Sequence, residues 1–96
     1  MSEVLILEFP AGTADQYDAV NKLLEANVEP GEDAMPAPLL THVAASGDSG
    51  LIVVEVWESR EAQAEFMKRL APALAEVGVP EPSRTEWSTL IGRYSA

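Results

Sequence analysis

Two aliphatic runs joined by Gly47-Asp48-Ser49-Gly50 constrain this chain more than any other feature. Glycine reaches the backbone angles that a tight reversal needs, and Asp and Ser favour turns through their own side chains. Residues 39–46 and 51–57 therefore read as an antiparallel hairpin. The loop length sets the register: Ser46 faces Leu51, Ala44 faces Val53, His42 faces Glu55, and Leu40 faces Trp57. Side chains alternate with a period of two, so 40, 42, 44, 53, 55 and 57 share one face. A slip of one residue would separate His42 from Glu55.

The remaining segments supply two more strands and two helices. EVLILEF at 3–9 ends at Pro10 and reads as a buried strand. Thr13 and Gln16 form a capping box, with Asp15 and Asp18 near the positive end of the helix dipole. Tyr17, Val20, Leu23 and Leu24 then make the apolar stripe of a helix over 14–26, with Tyr17 in its core. Residues 27–38, NVEPGEDAMPAP, keep neither period. They form either a solvated connection or, through Met35 and the prolines, a lid over a pocket mouth. Ser59 caps a second helix in which Ala62, Phe66, Leu70 and Leu74 recur every four residues. Pro72 lacks a donor and clashes with the preceding turn. The main helix is expected to end near 70, with a short helix from Pro72 to Gly78. RTEWSTLIGRY at 84–94 is the last strand, with Gly92 marking a bulge or a close approach.

The order β-α-β-β-α-β is the ferredoxin-like arrangement, an α+β fold in which four antiparallel strands carry both helices on one face. Ninety-six residues suffice for a single domain, 1–96, with one hydrophobic core. Apolar residues at 47% and charged residues at 23% are ordinary for a globular chain. The absence of cysteine excludes disulfides and thiolate chemistry and fits a reducing cytoplasm. The single histidine excludes the common Cys/His zinc sites. Sixteen acidic against six basic residues, a net charge of −10, argue against nucleic acid or an anionic membrane as partner. MSEVLILEFP lacks a basic n-region and a cleavage site and does not read as a signal peptide.

Two helices leave one sheet face open. If Leu5, Leu7, Phe9, Ile52, Val54 and Val56 pack under the helices, then Val4, Ile6, Leu51, Val53 and Trp57 lie on the open face. A second copy is the simplest cover for such a patch, giving a two-fold homodimer. His42 and Glu55 belong to the same face, and so does Glu8. There the pair reads as an acid–base couple in a pocket, Glu55 orienting the imidazole. It also reads as an interface ion pair that satisfies two costly polar groups. Trp57 is either a substrate platform or a core or interface aromatic.

Three stretches, VLILEFPAGTADQYDAV, THVAASGDSGLIVVEVWES and RLAPALAEVG, make the chain resemble the dimeric α+β barrel superfamily, which includes antibiotic-biosynthesis monooxygenase-like domains. The resemblance covers essentially the whole chain and implies the fold and the dimer. Members include cofactor-independent oxygenases of aromatic polyketides, haem-degrading enzymes, polyketide cyclases and lactone isomerases. Trp57 stands where oxygenase relatives place a strand tryptophan lining the cavity. The asparagine those enzymes use has no counterpart in a strand here, since Asn21 and Asn27 lie in or beside the first helix. Haem-degrading relatives ligate iron through a histidine of the second helix, and residues 60–77 contain none.

Two functions fit these observations. One is a cofactor-independent cyclase, isomerase or monooxygenase-like enzyme for a small aromatic or polyketide-like substrate. In it His42 and Glu55 are catalytic, and Trp57, Glu8, Val53 and Leu40 bind substrate. The other is a ligand-binding or structural dimer without catalysis. No flavin or haem is expected in either, because no glycine-rich phosphate loop and no axial ligand is legible.

Overall fold

The computed structural model describes residues 2–29 and 31–94. In chain order the elements are β1 (Glu3–Phe9), α1 (Ala14–Ala26), β2 (Leu39–Gly47), β3 (Gly50–Trp57), α2 (Arg60–Val77) and β4 (Arg84–Thr89). The strands form one antiparallel sheet in the order β2-β3-β1-β4. This is the expected ferredoxin-like α+β fold.

Local chemistry sets the element boundaries. Thr13 accepts from the Gln16 amide and Gln16 reciprocates, both at 3.1 Å, closing the capping box of α1. Ser59 accepts from the Ala62 amide at the start of α2, and Gly78 ends that helix in the left-handed conformation. At the hairpin, Gly50 has φ of 96° and its Cα points at the carbonyls of Phe9 and Pro10, where a side chain would collide. Only glycine meets both demands.

Two expectations about helix and strand length change. α2 runs unbroken from Arg60 to Val77 with Pro72 inside it. Pro72 lies on the exposed side, while Ala73 is buried and Leu70, Leu74 and Val77 pack on the core. Burial of that stripe outweighs the roughly 3 kcal/mol that an interior proline costs. β4 ends at Thr89, so Gly92 lies beyond the strand and bulges nothing.

The larger correction concerns the faces. Residues directly opposite in an antiparallel pair project to the same side. Leu5 lies opposite Glu55, Leu7 opposite Val53, and Phe9 opposite Leu51. Leu51, Val53, Glu55 and Trp57 therefore lie beneath the helices with Leu5, Leu7 and Phe9, and Ile52, Val54 and Val56 project to the other side. Leu5, Trp57, Val20, Leu24, Phe66 and Ala73 form the main core, and Phe9, Leu51 and Val53 a second cluster. The open face carries Val4, Ile6, Glu8, Val43 and Ile52, and the segment after β4 reaches back to it, Arg93 donating to Thr41 Oγ1.

Candidate functional site

The hairpin register matches expectation over most of its length: Ser46 faces Leu51, Ala44 faces Val53 and His42 faces Glu55. It breaks at a bulge between Leu39 and Thr41, where Leu39 takes the place opposite Trp57. The extra residue turns Leu40 outward, exposed and away from the site. Because β3 presents its odd-numbered residues to the helices, His42 and Glu55 do not sit on the open face. They sit between sheet and helices.

A cavity of about 550 Å³ occupies that space. The sheet contributes Leu5, Leu7, Phe9, Leu51, Val53 and Trp87, and the helices Val20, Leu24, Phe66 and Leu70. Met35 of the 27–38 loop also lines it, and the Arg69 guanidinium donates to the Ala34 carbonyl beside it, tying the loop to α2. The wall is largely apolar, with a few convergent polar groups, the usual composition of a small-molecule site.

Three of those polar groups, Tyr17, His42 and Glu55, form one hydrogen-bonded chain with Trp57 behind the wall. His42 Nδ1 lies 2.8 Å from Glu55 Oε2. Trp57 Nε1–H donates to Glu55 Oε1 at 2.9 Å. Tyr17 Oη lies 2.6 Å from His42 Nε2, the two rings stacked with centroids 5.8 Å apart. The Glu55 side chain is only 10% exposed, so its carboxylate depends on these donors in place of water. The four members come from three elements: Tyr17 from α1, His42 from β2, and Glu55 and Trp57 from β3.

The candidate residues thus separate. His42, Glu55 and Val53 line the cavity. Trp57 is 0% exposed, tilted against Phe66, and holds Glu55 from behind; Trp87 is the indole on the cavity wall. Glu8 projects to the opposite face, 2.9 Å from Arg84, which also pairs with Glu86. Hydrogen bonds to Glu8 first and Glu86 second hold the Arg84 guanidinium above its ordinary value. Tyr17 is the member that sequence reading placed in the helix core. The available signal was its place on the sheet-facing stripe with Val20 and Leu24, since a tyrosine turned inward needs a partner for its hydroxyl. Asn21 also lines the cavity. Among the described residues no cluster of three His, Cys, Asp or Glu side chains is arranged to hold a metal, and no helix is long and apolar enough to cross a membrane.

No family model matches the chain, and no curated protein matches it. Solved structures do. Rv0793 from Mycobacterium tuberculosis is 22% identical over 99% of this chain and 97% of its own, at a TM-score of 0.46, too low to argue from. A protein of Chloroflexus aurantiacus J-10-fl, whose name assigns it to the antibiotic biosynthesis monooxygenases, is 18% identical over 99% of this chain and 98% of its own, with a TM-score of 0.64. At that identity the likeness establishes fold: the chain has the ferredoxin-like α+β fold of that antibiotic biosynthesis monooxygenase-like structure.

Proposed function

We propose that the cavity binds a small aromatic or polyketide-like molecule and that the His42–Glu55 pair moves a proton within it, as in a cofactor-independent cyclase or isomerase. The observation that carries this reading is a hydrogen-bonded imidazole–carboxylate pair on the wall of an otherwise apolar cavity of about 550 Å³. Such a pair transfers protons in either direction without a cofactor. An apolar wall favours flat, weakly polar ligands. Because His42 is the one histidine, its ring proton signals need no assignment. Titrating the protein with naphthols, tetralones and quinones should displace those signals. If no compound displaces them, the ligand reading fails.

In the same proposal the protein works as a homodimer through the open sheet face. Val43 and Ile52 are exposed there, and Ile91 and Tyr94 beyond β4 are fully exposed. A second copy would cover this surface. Light scattering should give twice the mass of one chain.

A second reading, oxygenation without a cofactor, draws on Asn21 at the cavity wall and on the name of the Chloroflexus structure. Oxygen uptake with a naphthol substrate separates it from proton transfer, which consumes none.

A further inference from the structure

The reading of the cavity as a ligand site leaves open which atom meets the ligand, and His42 is poorly placed to do so. Both of its ring nitrogens are engaged, Nδ1 with Glu55 Oε2 at 2.8 Å and Nε2 with Tyr17 Oη at 2.6 Å. A carboxylate offers Nδ1 only lone pairs, so in the neutral imidazole Nδ1 carries the hydrogen and Nε2 accepts. The donor to Nε2 is then the Tyr17 hydroxyl. Its one hydrogen is committed, and what remains for the cavity that Tyr17 lines is lone pairs.

We propose that Tyr17 is the catalytic residue, accepting a proton from an enolisable ketone or a phenol-type hydroxyl bound in the cavity. His42, Glu55 and Trp57 are positioning residues behind it. This rests on the cavity being a ligand site. In the step, the Tyr17 Oη–H proton passes to His42 Nε2, and the imidazolium formed faces Glu55. The Tyr17 oxygen takes a proton from the carbon beside the ligand carbonyl, and that C–H electron pair becomes the enolate π bond. On return, Tyr17 delivers the proton to the original or a conjugated carbon, and His42 Nε2 returns its proton to Tyr17. Nothing is oxidised or reduced, and the net change is proton exchange at the original carbon or isomerisation at a conjugated one.

Trp57 sharpens the proposal. Its indole donates only, so the Glu55 atom it meets must be an oxygen. In Glu55→Gln the amide oxygen stays on Trp57 and the NH₂ turns to His42 Nδ1. Nδ1 must then accept, Nε2 carries the hydrogen and donates to Tyr17, and the Tyr17 hydroxyl hydrogen swings toward the cavity. One buried substitution inverts the polarity shown to the ligand.

The test uses 1-naphthol as a hydroxyl donor and 2-tetralone as an enolisable acceptor. Binding is followed by fluorescence, and α-proton exchange of 2-tetralone in D₂O by NMR. Thermal melting checks that each variant folds. Wild type should bind 1-naphthol about tenfold more tightly than its methyl ether, one hydrogen bond's worth, and should accelerate exchange. Tyr17→Phe should keep the fold, lose the tenfold preference and lose exchange about a hundredfold or more. Glu55→Gln should lose exchange and shift preference from 1-naphthol toward 2-tetralone; it carries the test alone if Tyr17→Phe does not fold. Undiminished exchange in Tyr17→Phe overturns the assignment. Binding of 1-naphthol without accelerated exchange overturns Tyr17 as base and leaves the ligand site standing. Binding of neither probe overturns both.

Discussion

The two faces of the sheet hold their carboxylates under opposite conditions. Beneath the helices, Glu55 is nearly enclosed and receives Trp57 Nε1–H and His42 Nδ1, with Tyr17 next in line. On the other face Glu8 meets Arg84 at the same 2.9 Å, but Arg84 is 47% exposed and shared with Glu86. Distance therefore does not separate the two arrangements. Solvent does: an enclosed polar group has only its protein partners, so each partner fixes geometry, whereas an exposed pair trades with water and fixes little. The enclosed face can hold a directed chain of hydrogen bonds, and the exposed face can keep a charged rim around apolar side chains.

If that contrast is right, the largest effect belongs to Trp57. Trp57→Ala removes a fully buried indole and a donor to Glu55 together. It should cost about 3–5 kcal/mol in urea unfolding. Trp57→Phe keeps much of the packing and isolates the lost donor, at about 1–3 kcal/mol. Equal values for the two would show that the hydrogen bond is the dominant loss. His42→Leu comes next. It fills the site with an apolar side chain and leaves both the Tyr17 hydroxyl and one Glu55 oxygen without their partner. A loss of about 1–3 kcal/mol is expected from each buried group so stranded. A neutral result would mean that water reaches Glu55 and that the two faces differ less than their burial implies.

The sequence made some of this legible and hid the rest for identifiable reasons. Thr13 with Gln16, Ser59, Gly78 and the Gly47–Gly50 turn act through neighbours in the chain, so their roles could be read directly. The turn also placed His42 opposite Glu55. Which side the pair faces was not legible, because β1 and β3 are apolar on both sides. Leu5 and Leu7 alternate with Val4 and Ile6, and Leu51 and Val53 with Ile52 and Val54. The phase is set by β1 pairing with β3, a contact between segments far apart in sequence that no turn specifies. The bulge at Leu39 likewise has no local mark, and it alone removes Leu40 from the site. Tyr17 was hidden because its partner lies on another element.

A third prediction sharpens the comparison from the open side. Val43→Lys with Ile52→Lys places two cations on exposed positions of that face. If a second copy covers the face, burying those ammonium groups is prohibitive and light scattering should report one chain instead of two. The cavity lies on the other side of the sheet, so 1-naphthol binding should survive within about twofold, a change of the size expected for an exposed substitution. Loss of both would mean that the two faces are coupled through the strands or that a partner completes the cavity.

The smallest effect is expected at Glu8, and its smallness is informative. Glu8→Gln leaves Arg84 with Glu86 at 2.9 Å and with water, so the guanidinium is not stranded. The urea midpoint should hardly move, and high salt should erase any difference from wild type, since exposed ion pairs are screened. The matching change on the other face, Glu55→Gln, alters one atom of a carboxylate in the same way, yet it should abolish proton exchange. If Glu8→Gln instead weakened the dimer in light scattering, Glu8 and Arg84 would be enclosed by the second copy. The exposed face would then obey the rules of the buried one wherever two chains meet.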